Sequence, residues 1–172
     1  MRQARLKAPK EHPLAYYHCV SRVVDKRFVI LEEEREMFVR FMRMYETLCQ
    51  VRVVTFCVLS NHFHVLVEVP RRPEKLPDEA EVLSIVRRAF GRSVEWSIRQ
   101  ELEHLHQIGA HDAAKKIIDG FIARMWDVSA FMKSLKQRFT QWFNKKHERK
   151  GTLWEERYKS TLVEGGGNVL AM

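Results

Sequence analysis

Hydrophobic and polar positions alternate with two different periods over the first part of the chain. A run of aromatic and β-branched residues from Leu14 to Val24 predicts a strand. Glu32–Gln50 has apolar residues at helical spacing behind an acidic first turn, which predicts a helix. Two more strands are predicted over residues 51–61 and 62–70, separated by a turn signal at Ser60 and Asn61.

The pattern changes after Pro70, where a proline-rich connection leads into a polar region that has helical character up to Trp126. Three glycines are predicted to separate short helices within this region: Gly91, Gly109 and Gly120. We interpret residues 71–128 as a helical insertion, because the strands and helices on either side of it form a known arrangement when it is left out.

A longer amphipathic helix is predicted to begin with Asp127 or Ser129 as its cap and to end at Gly151. Strand-like alternation resumes over residues 152–164. Without the insertion the order is β-α-β-β-α-β, which is the ferredoxin-like split βαβ arrangement. We therefore expect residues 1–172 to form one α+β domain in which helices pack on an antiparallel sheet.

Composition and charge narrow the class of protein. Hydrophobic residues make up 45% and charged residues 30% of the chain, which is typical of a soluble globular protein. No apolar run is long enough to span a membrane, and the three cysteines are expected to be reduced thiols, so we expect a cytoplasmic protein. The net charge of +8 favours a polyanionic partner, nucleic acid first. Residues 131–160 alone hold nine basic and three acidic side chains, a net of +6.

Two histidines interrupt the hydrophobic segment "NHFHVLVEVP". On a strand, His62 and His64 project to the same face, about 7 Å apart along the chain, and could share one ion. His104 and His106 have the same spacing in a helical segment, where side chains diverge, so we expect them to be solvated. Spacing alone leaves two interpretations of the first pair, a divalent-metal site that takes ligands from elsewhere or two hydrogen-bonded structural histidines.

Three blocks of sequence carry a family resemblance. They are "YYHCVSRVVDKRFVI", "FCVLSNHFHVLVEVP" and "FMKSLKQRFTQWFNKKHERKGTLWEERYKS", which span residues 16–160 apart from the insertion. The second block resembles the His-hydrophobic-His signature, written HUH, of the single-tyrosine transposases, especially their REP-associated relatives. The first resembles that family's first strand and basic turn, and the third its later helix and Gly-x-x-Trp-x-x-Arg strand.

The resemblance implies a chemistry and a partner. Members of this family cut single-stranded DNA beside an imperfect hairpin: a tyrosine hydroxyl attacks the scissile phosphate and forms a 5′-phosphotyrosine link, which strand transfer later reverses. By resemblance, His62 and His64 would hold Mg²⁺ or Mn²⁺, and Asn61 would fix the turn that aims them. The implied partner is single-stranded DNA with a hairpin rather than a membrane, and both a monomer and a homodimer are open.

Basic and aromatic side chains in the first and third blocks are the predicted DNA contacts, since backbone attraction and base stacking act together on single strands. They are Arg22, Lys26, Arg27, Lys145, Lys146, Arg149, Trp154, Arg157 and Lys159. The alternative for the third block is a solvated basic helix face whose aromatic residues belong to the core.

The nucleophile is the part of the resemblance that the sequence does not supply. Of the four tyrosines, Tyr16 and Tyr17 fall in the first strand, Tyr45 lies on the apolar stripe of the first helix, and Tyr158 is the one candidate. The relatives carry the catalytic tyrosine on a further helix, in a Tyr-Ile-x-x-Asn-Pro type motif. Here "VEGGGNVLAM" offers only a glycine hinge and a cap at Asn168, so we expect a truncated chain without the nucleophile.

Two other functions fit parts of the sequence. A non-catalytic nucleic-acid-binding module on a ferredoxin-like sheet would explain the charge, and its DNA binding would ignore divalent metal. A metal-dependent nuclease that uses water would explain the histidines, but it needs carboxylate ligands close to them. Glu68 shares their face but lies about 13 Å beyond His64 along an extended strand.

Overall fold

The computed structural model describes residues 12–163, and the predicted glycine hinge and Asn168 cap lie outside them. Its elements are, in chain order, β1 (Leu14–Arg22), α1 (Glu32–Cys49), β2 (Arg52–Val58), β3 (His62–Pro70), α2 (Glu79–Phe90), α3 (Arg92–Gln107), α4 (His111–Ile122), α5 (Val128–Lys146) and β4 (Lys159–Val163). A single turn of 3-10 helix, Val24–Lys26, follows β1.

The four strands form one antiparallel sheet in the order β2-β3-β1-β4. β3 therefore lies inside the sheet, paired with β1 on one side and with β2 on the other. Because α1 connects β1 to β2 across β3, and the later helices connect β3 to β4 across β1, the order is that of a ferredoxin-like split βαβ fold. The predicted fold class is confirmed.

One face of the sheet packs against α1 and α5. The shared core includes Tyr17, Cys19, Phe38, Met42, Phe63, Val65, Val67, Phe131, Leu135 and Phe139. Burial alternates along β3, where Phe63 and every second residue after it are buried and the residues between them are half-buried. The opposite face carries half-buried and exposed side chains, and we call it the open face.

Helices α2, α3 and α4 form the predicted insertion and have an apolar cluster of their own. It joins all three helices to the end of α1 through Val82, Val86, Leu102, Ile118 and Leu48. The N–H of Trp126 donates to the carbonyl of Cys49 at 2.7 Å and ties the end of the insertion to the end of α1. Within residues 12–163, no helix combines the length and the apolar character needed to cross a membrane.

The predicted start of α5 is confirmed, but two helix boundaries are wrong. The side chain of Asp127 caps α5 by accepting from the N–H groups of Ser129 and Ala130 at 2.6 and 3.0 Å. The helix ends at Lys146, before Gly151. Gly120 lies inside α4, because a glycine costs a helix only about 1 kcal/mol relative to alanine and the apolar contacts of α4 outweigh that cost.

The last predicted strand is shorter than its sequence pattern. Between residues 152 and 158 the one β-bridge is an isolated one, which joins Trp154 to Val23 just beyond the end of β1. β4 begins at Lys159, where continuous pairing with β1 starts. A strand needs a neighbour to complete its backbone hydrogen bonds, so the alternating pattern before Lys159 does not by itself produce one.

Candidate functional site

His62 and His64 lie side by side on the open face of β3. Their ring centroids are 5.2 Å apart and the ring planes cross at 71°. A metal–nitrogen bond to histidine is about 2.1 Å long, so rings at this separation can bind one ion. The predicted placement of both side chains on one face is confirmed, and their role as metal ligands stays a prediction.

Asn61 fixes the position of the proton on His62. Its side-chain N–H donates to the carbonyl of Lys26 at 3.1 Å, which leaves Oδ1 facing Nδ1 of His62 at 2.6 Å. An amide oxygen only accepts hydrogen bonds, so Nδ1 carries the hydrogen and the neutral ring has its lone pair on Nε2. A histidine anchored in this way is oriented to bind a metal through Nε2.

His18 on β1 is a third histidine of the open face, and the sequence pattern did not predict it. Its Nε2 lies 3.0 Å from Nδ1 of His64, and the two rings are stacked with centroids 5.2 Å apart. When His64 donates this hydrogen bond, its lone pair is on Nε2, as in His62. His18 would then act as the acceptor that orients His64.

The environment of His64 favours the neutral form of its ring. Burial, followed by the nearby His18 and His62, lowers the pKa of His64 below its ordinary value of 6.5. The neutral imidazole is the form that binds metal ions. Among residues 12–163, no three His, Cys, Asp or Glu side chains are grouped so that they could hold an ion. Within the described residues, His62 and His64 are therefore the two candidate ligands, and no third His, Cys, Asp or Glu joins them.

Two of the predicted basic residues lie beside the histidines on the open face. Arg22, at the end of β1, is directly opposite His62. On β1, Val20 is opposite His64 on one side and opposite Lys159 of β4 on the other side. Lys159 is therefore in the same cross-strand row as His64, two strands and about 10 Å away from it. Both basic side chains are exposed. Both cations therefore lie on the β1 side of the histidine pair, Arg22 on β1 itself and Lys159 on β4 beyond it.

The other basic residues predicted to contact DNA lie in the turn after β1, at the end of α5 and in the loop between α5 and β4. Lys26 and Arg27 follow β1 in the turn that Asn61 holds through the carbonyl of Lys26. Lys145 is exposed at the end of α5, and Arg157 is exposed in the loop before β4. Arg149 is half-buried, with its guanidinium 5.6 Å from the ring centroid of Phe143.

Two of the predicted DNA contacts need correction, because the protein itself engages them. The ammonium of Lys146 lies 2.6 Å from carboxylate oxygens of both Glu33 and Glu34. Trp154 is 6% exposed, packs edge-on against Phe63, and donates its indole N–H to a backbone carbonyl of α5 at 3.2 Å. An ammonium held by two carboxylates is poorly placed for a phosphate, and a buried ring has no free face for a base.

Tyr16 shares the open face but not the end of the sheet where the histidines lie. It is opposite Glu68, and its hydroxyl donates to that carboxylate at 2.9 Å. Four residues of strand, about 13 Å, separate it from the row that contains His64. The hydrogen bond to Glu68 raises the pKa of Tyr16, which keeps the phenol protonated.

The other tyrosines point away from the histidine pair. Tyr17 is buried on the opposite face of the sheet. Tyr45 packs against Phe90 of the insertion at a centroid distance of 5.8 Å. Tyr158, the candidate nucleophile, is 6% exposed, and its hydroxyl lies 3.0 Å from Oγ of Ser129. None of these hydroxyls faces the open side of β3.

His106 was predicted to be solvated together with His104, and it is exposed but also paired. Its Nε2 lies 3.0 Å from a carboxylate oxygen of Glu79, and its Nδ1 lies 3.3 Å from Nδ1 of His111. These contacts join the start of α2 to the end of α3 and the start of α4. Sequence spacing could not show them, because Glu79 is distant along the chain.

Comparison with known proteins places the histidine pair within a matched region. Residues 12–111 match the family model described as "Transposase IS200 like", whereas no curated protein matches the sequence. The structure of a REP-associated tyrosine transposase bound to a REP hairpin matches with a TM-score of 0.55 and 11% identity, over 98% of this chain and 66% of that chain. At this identity the similarity indicates the fold alone, and the chain spans slightly less than two thirds of that relative's length.

A second solved structure, a crystal structure of a candidate transposase from Deinococcus radiodurans R1, matches with a TM-score of 0.46 and 13% identity. It covers 99% of this chain and 91% of that chain. This TM-score is too low for the match to carry an argument.

Proposed function

The chain belongs to the IS200-like transposase family, and from this premise we propose that it binds single-stranded DNA carrying a hairpin and acts on one phosphodiester at His62 and His64. The observation that carries the proposal is the arrangement of these two rings. Nδ1 of His62 is anchored by Asn61 and Nδ1 of His64 by His18, and Nε2 of both rings is left for an ion when His64 is the donor to His18. Both lie within the matched residues 12–111.

The proposed ion is Mg²⁺ or Mn²⁺. Two neutral imidazoles are softer ligands than Mg²⁺ prefers, so we expect Mn²⁺ to bind more tightly, although weakly in absolute terms. When bound, the ion would polarise the non-bridging oxygens of the scissile phosphate. In this proposal Asn61 and His18 orient the two rings, and other residues of the chain hold the DNA strand against them.

The proposed path of the strand follows the basic residues around the histidine pair. Arg22 and Lys159 lie on the β1 side of the pair, and Lys26 and Arg27 continue the positive surface beyond the end of β1. These side chains would attract phosphates without reading sequence. We therefore assign them to positioning the strand and not to sequence recognition.

The proposed reaction is strand cleavage and transfer through a 5′-phosphotyrosine, as the family resemblance implies. The attacking tyrosine would form a bond to phosphorus and release the 3′ oxygen, and that 3′-hydroxyl would later reverse the link. Because none of the chain's four tyrosines faces the histidine pair, this tyrosine would come from outside residues 1–172.

A second candidate function is a nucleic-acid-binding module without catalysis. The observation that favours it is that no tyrosine hydroxyl of the chain lies beside His62 and His64. In that case the protein would bind the same DNA through its basic residues, and divalent metal would leave the affinity unchanged. Whether the DNA affinity depends on divalent metal therefore distinguishes the two functions.

We expect removal of one positive charge beside the histidines to weaken DNA binding at every salt concentration. Arg22→Gln should lower the affinity for a labelled single-stranded hairpin and reduce the slope of log affinity against log salt by about 1, because one phosphate contact no longer releases a counterion. Lys159→Gln should do the same. Fluorescence anisotropy at several salt concentrations measures both quantities.

Lys116→Gln provides the matched control, since it removes an exposed positive charge from α4 of the insertion. It should leave the slope unchanged. A flat salt dependence of the unmodified protein, or equal losses in Arg22→Gln and Lys116→Gln, would contradict the proposed strand path.

A further inference from the structure

We propose that Phe28 is a stacking platform for an unpaired base of the DNA strand held at His62 and His64. This inference rests on the proposed function and adds a residue that contacts a base. Phe28 is 74% exposed, and Leu31 and Leu59 are 63% and 42% exposed. Phenylalanine is usually buried, and a group of exposed apolar residues marks an interaction surface.

The backbone around Phe28 is tied to the turn that precedes His62. The N–H groups of Val29 and Ile30 both donate to the carbonyl of Ser60 at 2.9 Å. On the other side of Phe28, the carbonyl of Lys26 accepts from the side chain of Asn61 at 3.1 Å. Phe28 is thus held between two connections to Ser60 and Asn61, the residues directly before His62.

The segment before Phe28 adopts a backbone conformation that requires support. Asp25 and Lys26 have φ angles of 57° and 54°, in the left-handed region that residues other than glycine rarely occupy. Hydrogen bonds from Val23 N–H to the carbonyl of Asn61 at 2.8 Å and from Val24 N–H to the carbonyl of Leu153 at 3.0 Å hold this turn in place. In a fixed turn the backbone that carries the aromatic ring has little entropy left to lose on binding.

The charges around Phe28 indicate which partner covers it. Lys26 and Arg27 precede it directly, and Arg22 lies opposite His62 at the same end of the sheet. An aromatic face among cations fits single-stranded nucleic acid, in which phosphates meet the cations and a base stacks on the ring. Duplex DNA hides its base faces in the stack, so the occupant is an unpaired base.

Abasic substitution along the unpaired flanks of a hairpin oligonucleotide tests this inference. We expect Phe28→Ala to bind the intact oligonucleotide on the order of tenfold more weakly, and Phe28→Trp to keep the affinity, because stacking needs only an aromatic face. One abasic position should weaken binding by the unmodified protein to a similar extent. That position should have no further effect on Phe28→Ala, because the lost base and the lost ring remove the same contact.

Trp96→Ala is the matched control, because Trp96 is an aromatic residue that is 63% exposed on α3 of the insertion. It should leave the affinity unchanged. Equal affinity of Phe28→Ala and the unmodified protein would overturn the stacking role and leave the proposed function intact. The stacking role would also be overturned if the effect of Phe28→Ala and the effect of every abasic position simply added. A change in self-association measured by sedimentation, without a change in DNA affinity, would overturn it as well. If the unmodified protein does not bind the hairpin, both the proposed function and this inference fail.

Discussion

We expect no covalent protein–DNA product when the 172-residue chain is incubated with Mn²⁺ and a single-stranded hairpin substrate. Attack on phosphorus requires an oxygen held in line with the scissile bond, and such orientation supplies about 7 to 11 kcal/mol of the barrier. The hydroxyl of Tyr16 is hydrogen-bonded to Glu68 at the far end of the open face, and Tyr158 is buried against Ser129. Neither hydroxyl can reach a phosphate at His62 and His64 without rearrangement of the sheet.

The substrate for this experiment should carry its label at the 3′ end, because a tyrosine would stay bonded to the 5′ phosphate of the downstream fragment. A denaturing gel then separates free DNA from protein-linked DNA. Binding of the same oligonucleotide by anisotropy shows that the substrate is held. A labelled protein band that disappears in Tyr158→Phe would identify Tyr158 as the nucleophile and overturn this expectation.

Replacement of Glu34 by glutamine should lower the free energy of unfolding by about 2 kcal/mol, because it removes a buried charge that holds two helices together. Glu34 lies in the first turn of α1 and is 2% exposed. Its carboxylate accepts from Lys146 at 2.6 Å and from His147 at 3.0 Å, both at the end of α5. For a protein of this size the change corresponds to a fall in melting temperature of about 4 to 8 °C by thermal denaturation.

Glu33→Gln is the matched control for this prediction. Glu33 contacts the same ammonium of Lys146 at 2.6 Å, but its side chain is 65% exposed, and exposed ion pairs contribute about 0.5 kcal/mol or less. Equal destabilisation by the two variants would show that burial of Glu34 does not strengthen the interaction.

The contribution of Glu34 should depend on pH in a defined direction. Burial by itself would raise the pKa of Glu34, but the hydrogen bonds from Lys146 and His147 outweigh it and hold the pKa below its ordinary value of 4.5. A carboxyl group with a lowered pKa in the folded state binds fewer protons than in the unfolded state, so it stabilises the fold above the unfolded pKa. The difference between the unmodified protein and Glu34→Gln should be full at pH 7 and decrease as the pH falls below 4.5.

The fold was predictable where local pattern and tertiary packing agree. Hydrophobic residues alternate with His62 and His64 along β3, and the structure buries the hydrophobic residues and leaves the histidines on the open face. The apolar stripe of α5 is likewise buried, as its spacing predicts. Gly120 shows the limit of a single-residue signal, because helix packing overrides a small local cost. The segment before Lys159 shows another limit, because strand formation depends on which neighbour is within reach.

The site was predictable only in part, for the same reason. The spacing of His62 and His64 shows that they share a face, but nothing in the sequence brings His18 next to His64, because strand register decides that contact. Lys146 looked available for DNA because its partner Glu34 lies 112 residues away along the chain. Trp154 looked like a stacking residue because its core neighbour Phe63 belongs to another strand.

The affinity for a single-stranded hairpin oligonucleotide with and without Mn²⁺ is the most direct test of the role assigned to His62 and His64. We predict that Mn²⁺ raises the affinity of the unmodified protein on the order of tenfold, because an ion held by the two histidines would contact a phosphate of the bound strand. His62→Ala and His64→Ala should each abolish this increase, whereas His104→Ala, which removes an exposed histidine from α3, should retain it. An affinity that ignores Mn²⁺ in the unmodified protein, or an increase that survives in both His62→Ala and His64→Ala, would contradict this role.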